Sequence, residues 1–295
     1  MSVVDRASKP QTHSLDNHRR FAASRWLVRL LSPDVIAPLL VGSLVLILWE
    51  VGVRVTNTPP YLLPGPLLVG QTLIQEWSVL FPSLLITFKI TLVAFIAAVI
   101  SGLLIAILFT QSKWIERSFF PYAVILQTTP IVAIAPLIIL WVRRVIPGES
   151  STFVSLVICA WIVAFFPILS NTTLGLNSAD HNLVNLFQLY KASRWQTLRY
   201  LRLPSALPYF LGGLRISGGL ALIGAVVAEF VAGTGGTQSG IAYQILMSSF
   251  NLQIPRMFAA LFMTTVLGIL IFACLTVLSD FLLRHWHESA VKREN

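Results

Sequence analysis

An ionisable side chain inside a long apolar run is costly in a bilayer, so each one in this chain is a candidate for chemistry. Five stand out: Glu50, Lys89, Arg215, Glu229 and Asp280. Arg215 and Glu229 are 14 residues apart, which on a helix sets them about 40° apart in azimuth and about 21 Å apart along the axis. They share a face and cannot pair, as suits residues that line a path or hold neighbouring helices. Glu50, Lys89 and Asp280 lie near the ends of their apolar runs, where snorkelling to the interface accounts for them. A membrane-embedded enzyme would need at least two titratable groups converging at one depth. These five are dispersed, and no catalytic residue is assigned.

Motifs narrow the chemistry further. The chain has no GxxxxGK[ST] loop, since no Gly-Lys pair occurs, and it lacks HExxH and GxSxG, so it cannot bind and hydrolyse a nucleotide by that route. The stretch 233–240 (GTGGTQSG) has the glycines of a phosphate cradle but no following Lys, and reads as a flexible turn. His285-Trp286-His287 offers two metal donors without a third and reads as a membrane-interface flank. No metal site is expected. Cys159 and Cys274 fall in apolar runs, where a thiol behaves as a small hydrophobe.

The elements that must position these residues follow from composition. Of 295 residues, 56% are hydrophobic and 11% charged, against roughly 25% charged in soluble proteins. A span needs about 20 apolar residues, and six such runs occur, at 35–53, 84–110, 119–141, 153–169, 207–231 and 257–283. The expected fold is all-α, a polytopic membrane protein with six transmembrane helices. The net charge of +9 is spread between apolar runs rather than gathered on one water-soluble face, which excludes nucleic acid and implies membrane lipid as a partner. With both termini inside, 15 of the 21 Lys and Arg residues lie on the inner side, as cytoplasmic loops require. Residues 1–34 then form a basic cytoplasmic tail ahead of an uncleaved first helix, and 284–295 a second tail. Within the first tail, 24–31 (SRWLVRLL) has an amphipathic pattern suited to the inner leaflet.

Three segments carry further signals. The fifth run has Gly213, Ser217, Ala221 and Ala225 at successive i+4 positions, a small-residue stripe that lets another helix approach closely. That helix could belong to this chain or to a second subunit. The third run contains Gln127-Thr128-Thr129-Pro130, where either a broken helix lining a cavity or a proline kink with back-bonded threonines would place a bend. The inner segment 179–206 repeats Leu183, Leu186, Phe187 and Tyr190 at helical spacing, followed by Trp195, Leu198, Leu201 and Leu203. Its apolar face needs covering by the membrane underside or by a protein.

Residues 192–217 (ASRWQTLRYLRLPSALPYFLGGLRIS) and 219–230 (GLALIGAVVAEF) resemble the permease subunits of bacterial binding-protein-dependent ABC importers. The similarity is to the branch serving nitrate, taurine, alkanesulfonates, pyrimidine vitamin precursors and riboflavin. It extends to Leu63-Pro64-Gly65-Pro66, Thr129-Pro130, the run Ala135 to Trp141, Phe166-Pro167 and Thr173-Leu174-Gly175-Leu176. The resemblance implies a type I importer-like transmembrane domain in a bacterial inner membrane, with a five-helix core over 84–283. It also implies a cytoplasmic ATPase dimer that holds ATP-Mg, a second permease copy or a paralogous permease, and an extracytoplasmic substrate-binding protein. No cofactor is implied for this chain.

In that family the inner loop carries Glu-Ala-Ala, a Gly and a terminal Leu-Pro, and docks the ATPase. Registered on Leu203-Pro204, the Glu position is Asn185, the Ala positions are Leu186 and Phe187, and the Gly position is Lys191. Asn185, Leu186, Phe187, Lys191, Ala192, Ser193, Trp195, Leu203 and Pro204 are thus the expected ATPase-docking residues. Gln127, Thr128, Thr129 and Glu229 are the candidates for the translocation path. The Gln-Thr-Thr-Pro segment sits closer to the vitamin-precursor and riboflavin members than to the sulfonate or nitrate ones. An ion-coupled secondary transporter is the remaining rival, with Glu229 as its one convincing intramembrane carboxylate.

Overall fold

The computed structural model describes residues 33–148, 150–233 and 239–284. The basic tail, most of the glycine-rich stretch and His285-Trp286-His287 lie outside these residues. Among them the structure is helical throughout. Contacts divide the chain into two units, Met1–Leu67 and Leu68–Asn295.

The first unit holds helix α1 (Pro33–Val55), close to the expected first span. Its Leu and Val side chains from Leu39 to Leu48 are exposed around the whole circumference, as a helix solvated by hydrocarbon should be. Glu50 does not snorkel as expected. It accepts from Arg54 Nε at 2.6 Å and from Leu67 N at 3.2 Å, and Gly65 packs against its carboxylate.

Helix α2 (Pro66–Gln75) begins on the last two residues of the first unit, and in the second α3 (Trp77–Gln111), α4 (Lys113–Thr128), α5 (Ile131–Val145) and α6 (Ser150–Asn177) are followed by the inner segment. That segment folds as α7 (His181–Leu189), α8 (Arg194–Thr197) and a π-helical turn, Leu198–Arg202. Helices α9 (Leu203–Ala232), α10 (Ile241–Phe250) and α11 (Ile254–Leu283) complete it. Five helices are long and apolar enough to cross a bilayer, and six spans result if the bent α4–α5 pair counts as one. The bend expected in the third span is present, and α4 and α5 meet at 101°. Pro130 supplies no N–H to continue α4, while Thr128 and Thr129 return their hydroxyls to Val124 and Ile125 carbonyls at 2.7 to 3.1 Å. The fourth helix also outruns its expected end, because Asn171 Nδ2 bonds the Pro167 carbonyl at 2.9 Å and the helix continues to Asn177.

The spine of the unit is the α6–α9 pair. A Cβ built on Gly224 would stand 2.9 Å from Ala160 Cα, one on Gly213 2.9 Å from the Pro167 carbonyl oxygen, and one on Gly175 2.8 Å from Ala206 Cα. Ser217 donates to the Ala164 carbonyl at 2.7 Å, and Ala221 and Ala225 are fully buried. The small-residue stripe therefore meets a helix of its own chain. Helix α3 joins the same core, with Gly102 against Ile168 and Ser101 accepting from Trp161 Nε1 at 2.9 Å. Asp280 and Lys89 are exposed, as snorkelling expects, and each also has a partner. Asp280 of α11 pairs with Arg215 of α9 at 2.8 Å, and the Lys89 ammonium lies 5.2 Å from the Phe153 ring centroid, an attraction of the cation to the ring quadrupole.

Replacing Gly224 with Leu should lower the thermal stability of the purified protein by about 1 to 3 kcal/mol through overpacking. Gly219→Leu, with nothing within 4 Å of its built Cβ, should leave the melting midpoint nearly unchanged. Equal midpoints in detergent would remove the α6–α9 contact as the source of rigidity.

Candidate functional site

The residues singled out by sequence fall into two places. The first is the inner segment. Asp180 caps α7 by accepting from Asn182 N at 2.7 Å. Ser193 caps α8 in a reciprocal box: its hydroxyl accepts from Gln196 N at 3.2 Å while Gln196 Oε1 accepts from Ser193 N at 2.7 Å. Two short helices are thereby held at fixed ends. Leu198 and Leu201 of the π-turn are buried, Leu198 in the same core as Phe109, Phe120 and Phe166. The turn thus anchors the segment to the membrane part, and Leu203 and Pro204 open α9 directly after it.

The rest of the segment is left uncovered. Leu183, Leu186, Leu189, Tyr190 and Trp195 are exposed, Tyr190 to 81%; Asn185 and Ser193 are exposed, and Phe187 and Ala192 half-buried. Behind α7 lies a cavity of about 210 Å³ bounded by Thr110, Val184, Gln188, Arg194 and Arg202. Arg202 donates across it to the Thr110 carbonyl at 3.4 Å, a cation at the C-terminal end of α3 where the helix dipole favours it.

The second place is the α4–α5 bend. Gln127 and Thr128 are exposed on its outside, flanked by exposed Tyr122, Ile125, Val132, Leu140 and Trp141. Glu229, grouped with them by its charge, is 3% exposed and enclosed. Its Oε1 accepts from Thr87 at 2.7 Å and its Oε2 from Ala242 N at 3.0 Å. It faces α3 and the start of α10, so the structure brings it to neither the bend nor the inner segment. Thr87, which bonds it, and Gly240, which leaves room for it, give no sequence signal, because a Thr in an apolar run and a Gly in a turn are both commonplace.

A length of chain with these features has known counterparts. The family described as binding-protein-dependent transport system inner membrane component matches residues 98–287. The chain belongs to that family. The permease is 33% identical over 255 residues to the formylaminopyrimidine transport permease protein ThiX of Halalkalibacterium halodurans, covering 85% of this chain and 96% of that one. It is 34% identical over 248 residues to the riboflavin transport system permease protein RibX of Chloroflexus aurantiacus, covering 83% and 88%. Relatives named for aliphatic sulfonate and nitrate import match at 31% and 27% identity. Its fold is similar to that of an amino acid ABC transporter crystallised with histidines, with a TM-score of 0.57, 17% identity, and coverage of 70% of this chain and 95% of the other. The permease is the multi-pass, non-enzymatic transport subunit of an ABC importer.

One departure from the family pattern has a visible cost in the permease. Lys191, at the family's Gly position, adopts φ +53°. Its N–H bonds the Gln188 carbonyl and the next N–H, from Ala192, bonds Phe187 O, both at 2.9 Å. This left-handed helix ending suits Gly because a Cβ crowds the backbone there. Lys191→Gly should therefore keep the α7–α8 turn and stabilise it by about 1 kcal/mol, whereas Lys191→Val should destabilise it. Limited proteolysis of the inner segment checks both, and slower cleavage of the Val variant would contradict the turn geometry.

Proposed function

We propose that the permease forms the membrane path for a small solute delivered by an extracytoplasmic substrate-binding protein, and that a separate cytoplasmic ATPase dimer drives it through the 179–206 segment. The observation that carries this reading is the uncovered apolar face of α7. A cytoplasmic helix with Leu183, Leu186 and Leu189 in water loses the hydrophobic gain of burial unless a partner supplies it. Full burial of one such side chain is worth about 1.5 to 3 kcal/mol. Asn185 to Trp195 is the docking surface, with Leu186 and Phe187 bulkier than the alanines of the family pattern, so the ATPase groove is correspondingly enlarged. The charge distribution supports cytoplasmic N- and C-termini.

The path lies between two permeases, this chain and a second copy or a paralogue, and the α4–α5 bend faces it. Exposed Gln127 and Thr128 amid apolar neighbours offer weak, water-like contacts to a passing solute. Affinity is then left to the binding protein. The solute is a vitamin or vitamin precursor of the riboflavin or thiamine-pyrimidine type, supported by the names of the ThiX and RibX relatives and by their coverage.

Reconstitution with the partner ATPase and binding protein tests this. ATP-dependent uptake of a labelled pyrimidine precursor or riboflavin is expected, surviving a protonophore and lost with an ATPase-dead partner. Uptake displaced by taurine or nitrate alone would move the permease to the sulfonate and nitrate branch; uptake abolished by the protonophore would favour an ion-coupled carrier. Leu186→Asp with Phe187→Asp should insert normally yet lose about tenfold or more in ATP-driven uptake, and full uptake by that double variant would remove the docking surface from α7.

A further inference from the structure

Glu229 is the one acidic or basic side chain in the buried set of the described residues, and it forms no ion pair among them. A carboxylate kept in such a place has an uncommon partner. The first turn of α10 directs its amide groups at two other helices: Ile241 N donates to Thr87 Oγ1 of α3 at 2.9 Å, and Ala242 N donates to Glu229 Oε2 of α9 at 3.0 Å. Thr87 in turn donates to Glu229 Oε1 at 2.7 Å. Helix α10 is thus capped from outside by side chains 142 positions apart in sequence, and the carboxylate sits at its positive end. Gly240 is required for this, because a Cβ there would collide with the Glu229 carboxylate. In a second set of bonds Gln244 Nε2 of α10 donates to Ser83 Oγ of α3 at 3.1 Å, and Arg256 Nη2 of α11 donates to Gln244 Oε1 at 3.1 Å.

The position of this cap matters as much as its bonds. Helix α9 has 30 residues, about 45 Å of rise. One end follows the π-turn of the inner segment, and the other carries Glu229 four residues before its left-handed Gly233 cap. Between them α9 is locked to α6 by direct backbone approach. A displacement of the inner segment is therefore delivered along a stiff rod to the opposite face, where the Glu229 carboxylate joins α9 to the first turn of α10.

We infer that Glu229, with Thr87, is a positioning residue for transport: it fastens α10 to the α3–α9 pair, so that this short outer helix moves with the inner coupling segment. The inference rests on the transport reading above. Its test is built so that the two fail separately.

Ser248 of α10 is 1% exposed. In the full complex, with Cys274→Ser, a Ser248→Cys reporter should be protected from a membrane-impermeant maleimide. Adding Glu229→Gln or Thr87→Val should raise its labelling rate about tenfold, while Thr87→Ser, which keeps the hydroxyl, should restore protection. Combining Glu229→Gln with Thr87→Val should add little to either alone. In parallel, solute imported per ATP hydrolysed should fall about tenfold in Glu229→Gln, with ATPase binding and basal hydrolysis retained. Unchanged labelling overturns the fastening, and raised labelling with an unchanged transport-to-hydrolysis ratio overturns its part in coupling. A wild-type complex that imports nothing, with labelling still raised by Glu229→Gln, would refute the transport reading and leave the fastening standing.

Discussion

Where Gly224 of α9 meets Ala160 of α6, the two backbones come together with no side chain between them, and most of the second unit is arranged around that line of contact. Within lipid there is no hydrophobic drive to bring helices together, since the tails are as apolar as Leu. What remains is dispersion between closely packed atoms and hydrogen bonds that lipid cannot make. Ser217 supplies one such bond to the Ala164 carbonyl. The glycines and alanines supply the rest by removing bulk. Helix α3 then packs on the pair through Gly102 and Trp161, and the aromatic group of Phe109, Phe120 and Phe166 closes the inner end.

Polar groups obey the same scarcity of water. Arg215, Asp280 and Glu229 lie in long apolar helices, and each has its partner on another helix. Lys89 has an aromatic face instead. The exposed polar groups of the α4–α5 bend are the contrast, because they lie where the chain alone does not cover them. Charges within the long helices act as fasteners whether enclosed, as Glu229 is, or exposed, as Asp280 and Lys89 are.

Much of this architecture could be read directly from the residues. Apolar runs located every long helix, and the four-residue spacing of Gly213, Ser217, Ala221 and Ala225 marked the packing face of α9. The helical repeat from Leu183 to Tyr190 foretold α7. Two things escaped. The partner of an intramembrane charge is a tertiary fact: Arg215 and Asp280 are 65 positions apart, and neither local run names the other. The enclosure of Glu229 against Thr87 is the second, because charge alone does not say which way a side chain faces. The proline at 130 marked a bend but not its angle, since the 101° turn depends on what α4 and α5 each pack against.

Helix α3 has 35 residues, about 52 Å of rise, and even tilted by about 20° it spans more than the roughly 40 to 45 Å of a bilayer with its headgroups. A helix that overshoots its bilayer can change tilt or slide along its axis without drawing apolar side chains into water, and Arg202, bonded to the Thr110 carbonyl, ties the start of α9 to that freedom.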